Sequence, residues 1–131
     1  MKTLVMVVFL ALAVSGCTSL ATAPGTVDLG EEFQLPYGQT VIIPEARLSL
    51  TFRELGEDSR CPEGANCIWA GNARVILIVS DLETSLNTTL EPRQVLHRGY
   101  SIQLVGVAPY PKLGEVHKVE DYAVTLVVER E

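Results

Sequence analysis

Asn72-Ala73-Arg74-Val75-Ile76-Leu77-Ile78-Val79-Ser80-Asp81-Leu82 decides the fold class. Five consecutive apolar residues, Val75 to Val79, leave no polar face for an amphipathic helix. The run is also shorter than a buried helix needs, and it is rich in β-branched side chains that lose little rotamer freedom in a strand. Gly71 punctuates its start. The stretch predicts a strand with both faces apolar, placed centrally in a sheet.

Outward from this strand, Arg47 to Glu54 places Leu48, Leu50 and Phe52 in alternation with Ser49, Thr51 and Arg53, the period of a half-buried strand. Upstream, Glu31 to Leu35 and Thr40 to Ile43 predict short strands around a Pro36-Tyr37-Gly38-Gln39 turn. Downstream, Ser85 to Leu90 predicts an edge strand and Val95 to His97 a short rung. Tyr100 to Val107 predicts a strand whose alternation slips at Gly106, as at a bulge. Asp121 to Glu129 closes the chain with Tyr122, Val124, Leu126 and Val128 on one face. No segment keeps helical periodicity long enough for a helix. The expectation is one all-β domain, 29–131, of six to eight strands. It is either a small closed or partly open OB-like barrel or a two-sheet sandwich.

Two loops interrupt this plan. Asp58 to Asn72 holds Cys61, Cys67 and the only tryptophan, Trp69. Ala108 to Gly114 sets Tyr110 between Pro109 and Pro111, which cannot donate to a ladder. The candidate binding residues are drawn from these loops: Arg60, Pro62, Glu63, Trp69 and Tyr110. Arg60 is expected to pair with a nearby acid. Trp69 is expected to cap the end of the fold, with an exposed binding anchor as its alternative role. Tyr110 has two readings, a second contact or a lid on the core.

The first residues follow another logic. Met1-Lys2 is a positive start, and Thr3 to Val14 is an apolar run too short to span a bilayer permanently. Val14-Ser15-Gly16 then places small residues before Cys17. This order resembles the bacterial lipoprotein signal. It implies a signal peptide at 1–16 and an acylated (palmitate-type) Cys17 as mature N-terminus, anchored in the cell envelope. Thr18 in place of Asp after the cysteine implies outer-membrane delivery. Residues 17–28, broken by Pro24-Gly25, read as a flexible tether of about 20 Å mean reach. In that oxidising compartment Cys61 and Cys67 are expected to pair with each other, since Cys17 carries lipid.

Chemistry is harder to find. The net charge is −6 with no basic cluster, a poor match to a phosphate backbone, so no nucleic-acid partner is expected. His97 and His117 have no nucleophile signature beside them and read as solvent-facing residues of loops or strand ends. Five residues separate Cys61 from Cys67, against the two of thiol oxidoreductases, so the bridge reads as structural. Asp58, Glu63 and Asn66 lack the alternating oxygens of a calcium loop. The expectation is no enzyme, no metal and no cofactor.

The run Cys61-Pro62-Glu63-Gly64-Ala65-Asn66-Cys67-Ile68-Trp69-Ala70-Gly71 resembles a motif of small bacterial lipoproteins that join a Cys-Pro ring to Trp-Ala-Gly and a hydrophobic strand. In size, anchor and β architecture the chain is also similar to the potempins. These are lipoprotein peptidase inhibitors with an OB-like barrel, and no inhibitory segment of theirs is matched residue by residue. The expected function is a lipid-anchored, extracytoplasmic, non-catalytic protein-binding module, with peptidase inhibition as its sharpest form. The alternatives are an accessory envelope lipoprotein that supports a larger assembly, or a small-ligand carrier using the barrel mouth.

Overall fold

A computed structural model describes residues 25–131; the expected signal peptide, Cys17 and the tether as far as residue 24 lie outside the described residues. The described chain is all-β. Its strands are β1 (Gly25–Thr26), β2 (Phe33–Pro36), β3 (Thr40–Ile43), β4 (Leu48–Asp58), β5 (Ala73–Val79), β6 (Leu82–Asn87), β7 (Gln94–His97), β8 (Tyr100–Ala108) and β9 (Ala123–Arg130). They form two separate sheets, of order β1-β3-β4-β5-β6 and β2-β9-β8-β7. The sheets do not close on each other, an arrangement consistent with a sandwich or a partly open barrel. A 3-10 turn, Val119–Asp121, stands just before β9.

Alternation places the core. In β4, Leu48, Leu50 and Phe52 point inward, and in β5 Ala73, Val75, Leu77 and Val79 do the same. Ile102 and Leu104 of β8 and Val124, Leu126 and Val128 of β9 face them from the other sheet. Each such side chain, fully buried, contributes about 1.5–3 kcal/mol of transfer free energy. Tyr37 meets Phe52 edge-on at 5.6 Å between ring centroids. β5 is interior to its sheet, as its apolar run predicts, but Ile76 and Ile78 on its outer face are only half-buried.

Several expectations need correction. The run 72–82 is not one strand: Ser80, at a φ of 55°, and Asp81 turn it into the β5–β6 hairpin. β4 continues four residues past Glu54, because register shifts at Phe52/Glu54 and Leu55/Glu57 break the alternation without ending the pairing. The final strand starts at Ala123, with the 3-10 turn taking Asp121. There are nine strands among the described residues. The additional one, β1, lies in the expected tether: Gly25 and Thr26 pair in parallel with Val41 and Ile42, and Val27 and Leu29 pack on the core. Backbone pairing of this kind requires no apolar side chains, so composition concealed it. The bulge expected at Gly106 is present between Leu104 and Gly106.

The two ends of the molecule differ. At one end β5–β6 and β7–β8 turn on two residues each, Ser80–Asp81 and Arg98–Gly99, and Arg98 donates to Asp81 at 2.8 Å. At the other end emerge the long β4–β5 and β8–β9 connections that hold the candidate residues.

Candidate functional site

Cys61 is the centre of the loop end. Its sulfur is bonded to Cys67 across a Cα–Cα distance of 6.0 Å. Its amide donates to the Ala70 carbonyl at 2.8 Å, and its own carbonyl accepts the Tyr110 hydroxyl at 2.8 Å. One step further down the hairpin, the Ser59 amide donates to the Asn72 carbonyl at 2.7 Å. Gly71 permits this closure. Its φ is +74°, and a Cβ there would lie 1.9 Å from the Ser59 carbonyl oxygen.

The proline loop is joined to the ring rather than standing apart. The Glu63 amide donates to the Pro111 carbonyl at 2.9 Å, and the Leu113 amide donates back to the Glu63 carbonyl at 3.0 Å. Lys112 and Glu63 add an ion pair at 3.8 Å, exposed and thus of small energetic weight. Two connections separated by some forty residues of sequence therefore behave as one ledge.

Arg60 pairs with an acid, as expected, but it is not a surface contact. It is 7% exposed, and it grips Asp58 with Nε and Nη2 at 2.7 Å each. Nη1 donates to the Val107 carbonyl at 2.5 Å, Nη2 also to the Pro109 carbonyl at 3.0 Å, and the guanidinium stacks on the Tyr110 ring at 5.1 Å. The planar fork donates to carbonyls at and just past the end of β8. Arg60 is the internal rivet between the two loops.

The other candidates divide. Pro62 is half-buried and Glu63 exposed on the ring tip. Trp69 does not cap the core: it is 54% exposed, because Cys67 and Ala70, pinned on either side of it to Cys61, hold the Ile68–Trp69 step outward. Tyr110 is a clasp with an exposed face, not a lid over the core. The histidines are less exposed than expected. His97 lies 3.3 Å from Asp81, and His117 lies 3.5 Å from Glu115 with its ring edge-on to Tyr122.

Behind the ring stands a polar group that the sequence did not announce. Buried Asn72 donates from Nδ2 to Oδ1 of buried Asn87 at 2.9 Å, and its own Oδ1 accepts the amides of Thr89 and Leu90. Asn87 in turn donates to the Pro92 carbonyl. The β6–β7 connection is thereby tied to the end of the β4–β5 connection. Asn beside a turn-forming Gly, as in Gly71-Asn72, was the available signal. Tyr122, beneath the ledge, has its phenol pushed above the ordinary value by burial first and by the Asp58 charge second.

Between these elements lies a groove of about 270 Å³, lined by Arg60, Ala70, Thr89, Val105, Gly106 and Tyr110 among others. Among the described residues no three His, Cys, Asp or Glu side chains come together as a metal-holding group. Among them, too, no helix is long and apolar enough to cross a membrane. No protein-family model, curated protein or solved structure matches the chain.

Proposed function

We propose that this chain is a lipid-anchored, extracytoplasmic, non-catalytic module that binds another protein, with the groove under Tyr110 seating a side chain of the partner. The observation that supports it is the one-piece construction of the groove wall. Cys61, Arg60 and Tyr110 lock ring and proline loop together before any partner arrives. A wall already ordered loses little entropy on docking. At about 270 Å³ the groove has room for a side chain of a partner. Peptidase inhibition is the sharper form of this reading, since inhibitors profit from the same stiffness. An outer-membrane location belongs to the same proposal through the Cys17 lipid.

The test is a photoreactive residue at Thr89, on the exposed rim, in the full chain expressed in its own cell envelope. The expected result is an adduct with one discrete protein, lost when Val105→Asp puts a charge in the groove. No adduct would remove the binding reading. Assays against serine and metallopeptidases then decide the inhibitor form separately. A second reading, an accessory envelope lipoprotein with a purely architectural ring, draws support from the inward turn of Arg60, and adducts spread over a stable assembly would favour it.

A further inference from the structure

Beyond the groove, the two connections at this end expose further apolar side chains. Ile68 is 105% exposed, Val116 95% and Leu113 66%, the three most exposed large apolar side chains among the described residues, and Trp69 stands beside Ile68. None of the four lines the groove. A disulfide and cross-loop hydrogen bonds hold the backbone on either side of Ile68 and Trp69 and at Leu113.

Two of the acids around them are held by cations, while Glu115 lies beside His117 and Lys118 is exposed. Glu63 faces Lys112 at 3.8 Å, Glu115 faces His117 at 3.5 Å, and Asp58 is held by Arg60. That leaves no basic patch to attract anionic headgroups. An apolar tip containing a tryptophan and no cluster of cations suits a zwitterionic bilayer interface, where indole rings collect.

The chain path favours the same occupant. β3 runs away from the ring end, because Thr40 pairs with Thr51 and Ile43 with Leu48. β1 is parallel to β3, so the chain enters Gly25 from the ring side. Gly25 pairs with Val41, which pairs with Leu50, and β5 needs six residue steps, from Val79 to Ala73, to climb from Leu50 to Asp58. At roughly 3.3 Å per step, the ring base is about 20 Å above Gly25. Eight steps separate Cys17 from Gly25 and reach at most about 29 Å. Cys17 can therefore lie no more than about 9 Å beyond the ring base, and the ring tip projects past that base.

We infer that Ile68, Trp69, Leu113 and Val116 rest in the headgroup region of the bilayer that holds the acylated Cys17. The loop end then faces the membrane. This rests on the lipid-anchor part of the proposed function and is independent of its protein partner.

The test uses the full acylated chain reconstituted in phosphatidylcholine–phosphatidylethanolamine vesicles. Trp69, the only tryptophan, is the probe. Co-flotation with the vesicles reports the anchor, and Trp69 emission reports the tip. Expected are a blue-shifted emission, quenching by lipids brominated near the carbonyls, and protection from iodide. The variant carrying Ile68→Glu and Val116→Glu should still co-float yet lose the shift and the quenching. Co-flotation with Trp69 open to iodide and untouched by bromolipid would overturn the docking and leave the anchor standing. Failure to co-float, with residue 17 unmodified by mass spectrometry, would overturn both. A photoreactive residue at position 68 that labels a protein instead of lipid in the native envelope would also overturn it, assigning the tip to a protein partner.

Discussion

The amide of Cys61 donates to the carbonyl of Ala70 at 2.8 Å, and that bond repeats in backbone what the disulfide to Cys67 does in sulfur. Cys61 therefore holds the chain on both sides of Ile68 and Trp69. The redundancy decides what loss of the bridge costs.

Replacing Cys61 and Cys67 with Ser should lower stability by about 2 kcal/mol, the loop-closure entropy of so short a ring. The Cys61–Ala70 and Ser59–Asn72 hydrogen bonds remain to hold the hairpin, Glu63–Leu113 still joins it to the proline loop, and no strand of either sheet contains the bridged cysteines. Urea titration gives the difference, and far-UV circular dichroism should stay that of a β protein. A variant without β signal would show that the ring is needed to form the sheets.

Arg60→Ala should be the costlier change, by about 3–5 kcal/mol, because it leaves the Asp58 carboxylate half-buried without its partner. The Val107 and Pro109 carbonyls lose their donor in the same step. Asp58→Leu combined with Arg60→Met should recover part of the loss, since no charge is then left unpaired. A double-mutant cycle by chemical denaturation measures the coupling, expected above about 1 kcal/mol. Additive single effects would mean that the two groups do not work as a pair.

What could be read from the chain and what could not divide along one physical line. Leu48, Leu50 and Phe52 announce their strand because burial of alternate side chains leaves a pattern in consecutive residues. Arg60 announces only its neighbour Asp58; the carbonyls that turn it inward lie 47 and 49 residues away and depend on how the β8–β9 loop closes. Trp69 was expected to cap the end of the fold, and the two restraints on Cys61 hold it half-exposed instead. Asn72 and Asn87 escaped because periodicity registers apolar burial only, whereas these two are buried by hydrogen bonding to each other. Gly25–Thr26 escaped because its pairing is entirely backbone.

Gly71 and Gly99 offer a paired comparison of steric and conformational cost. Both have positive φ, +74° and +81°, so alanine at either incurs about 1–2 kcal/mol of left-handed strain. At Gly99 nothing lies within 4 Å of the added carbon, and the effect should stop there. At Gly71 the carbon meets the Ser59 carbonyl at 1.9 Å and the Arg60 Cα at 2.7 Å, both backbone atoms that cannot swing away. Gly71→Ala should therefore cost clearly more than Gly99→Ala in thermal melts and open the Ser59–Asn72 and Cys61–Ala70 closures. Amide exchange at Ser59 and Cys61 would reveal that opening, and equal melting temperatures for the two variants would refute the close approach.

Alkaline pH reads the packing beneath the ledge. Burial, and after it the Asp58 charge, raises the Tyr122 phenol above its ordinary value of 10.0, so the native state favours the neutral ring. Above about pH 10 the unfolded chain gives up this proton while the folded one keeps it. The contribution is whole below that pH and is lost as pH climbs through the folded value. Tyr122→Phe removes the titrating group and keeps the ring that meets His117 edge-on. Melting temperatures measured from neutral pH to about pH 11 should fall less steeply for Tyr122→Phe than for the unaltered protein. Parallel curves would mean that Tyr122 ionises as readily folded as unfolded, and that the ledge leaves it open to water.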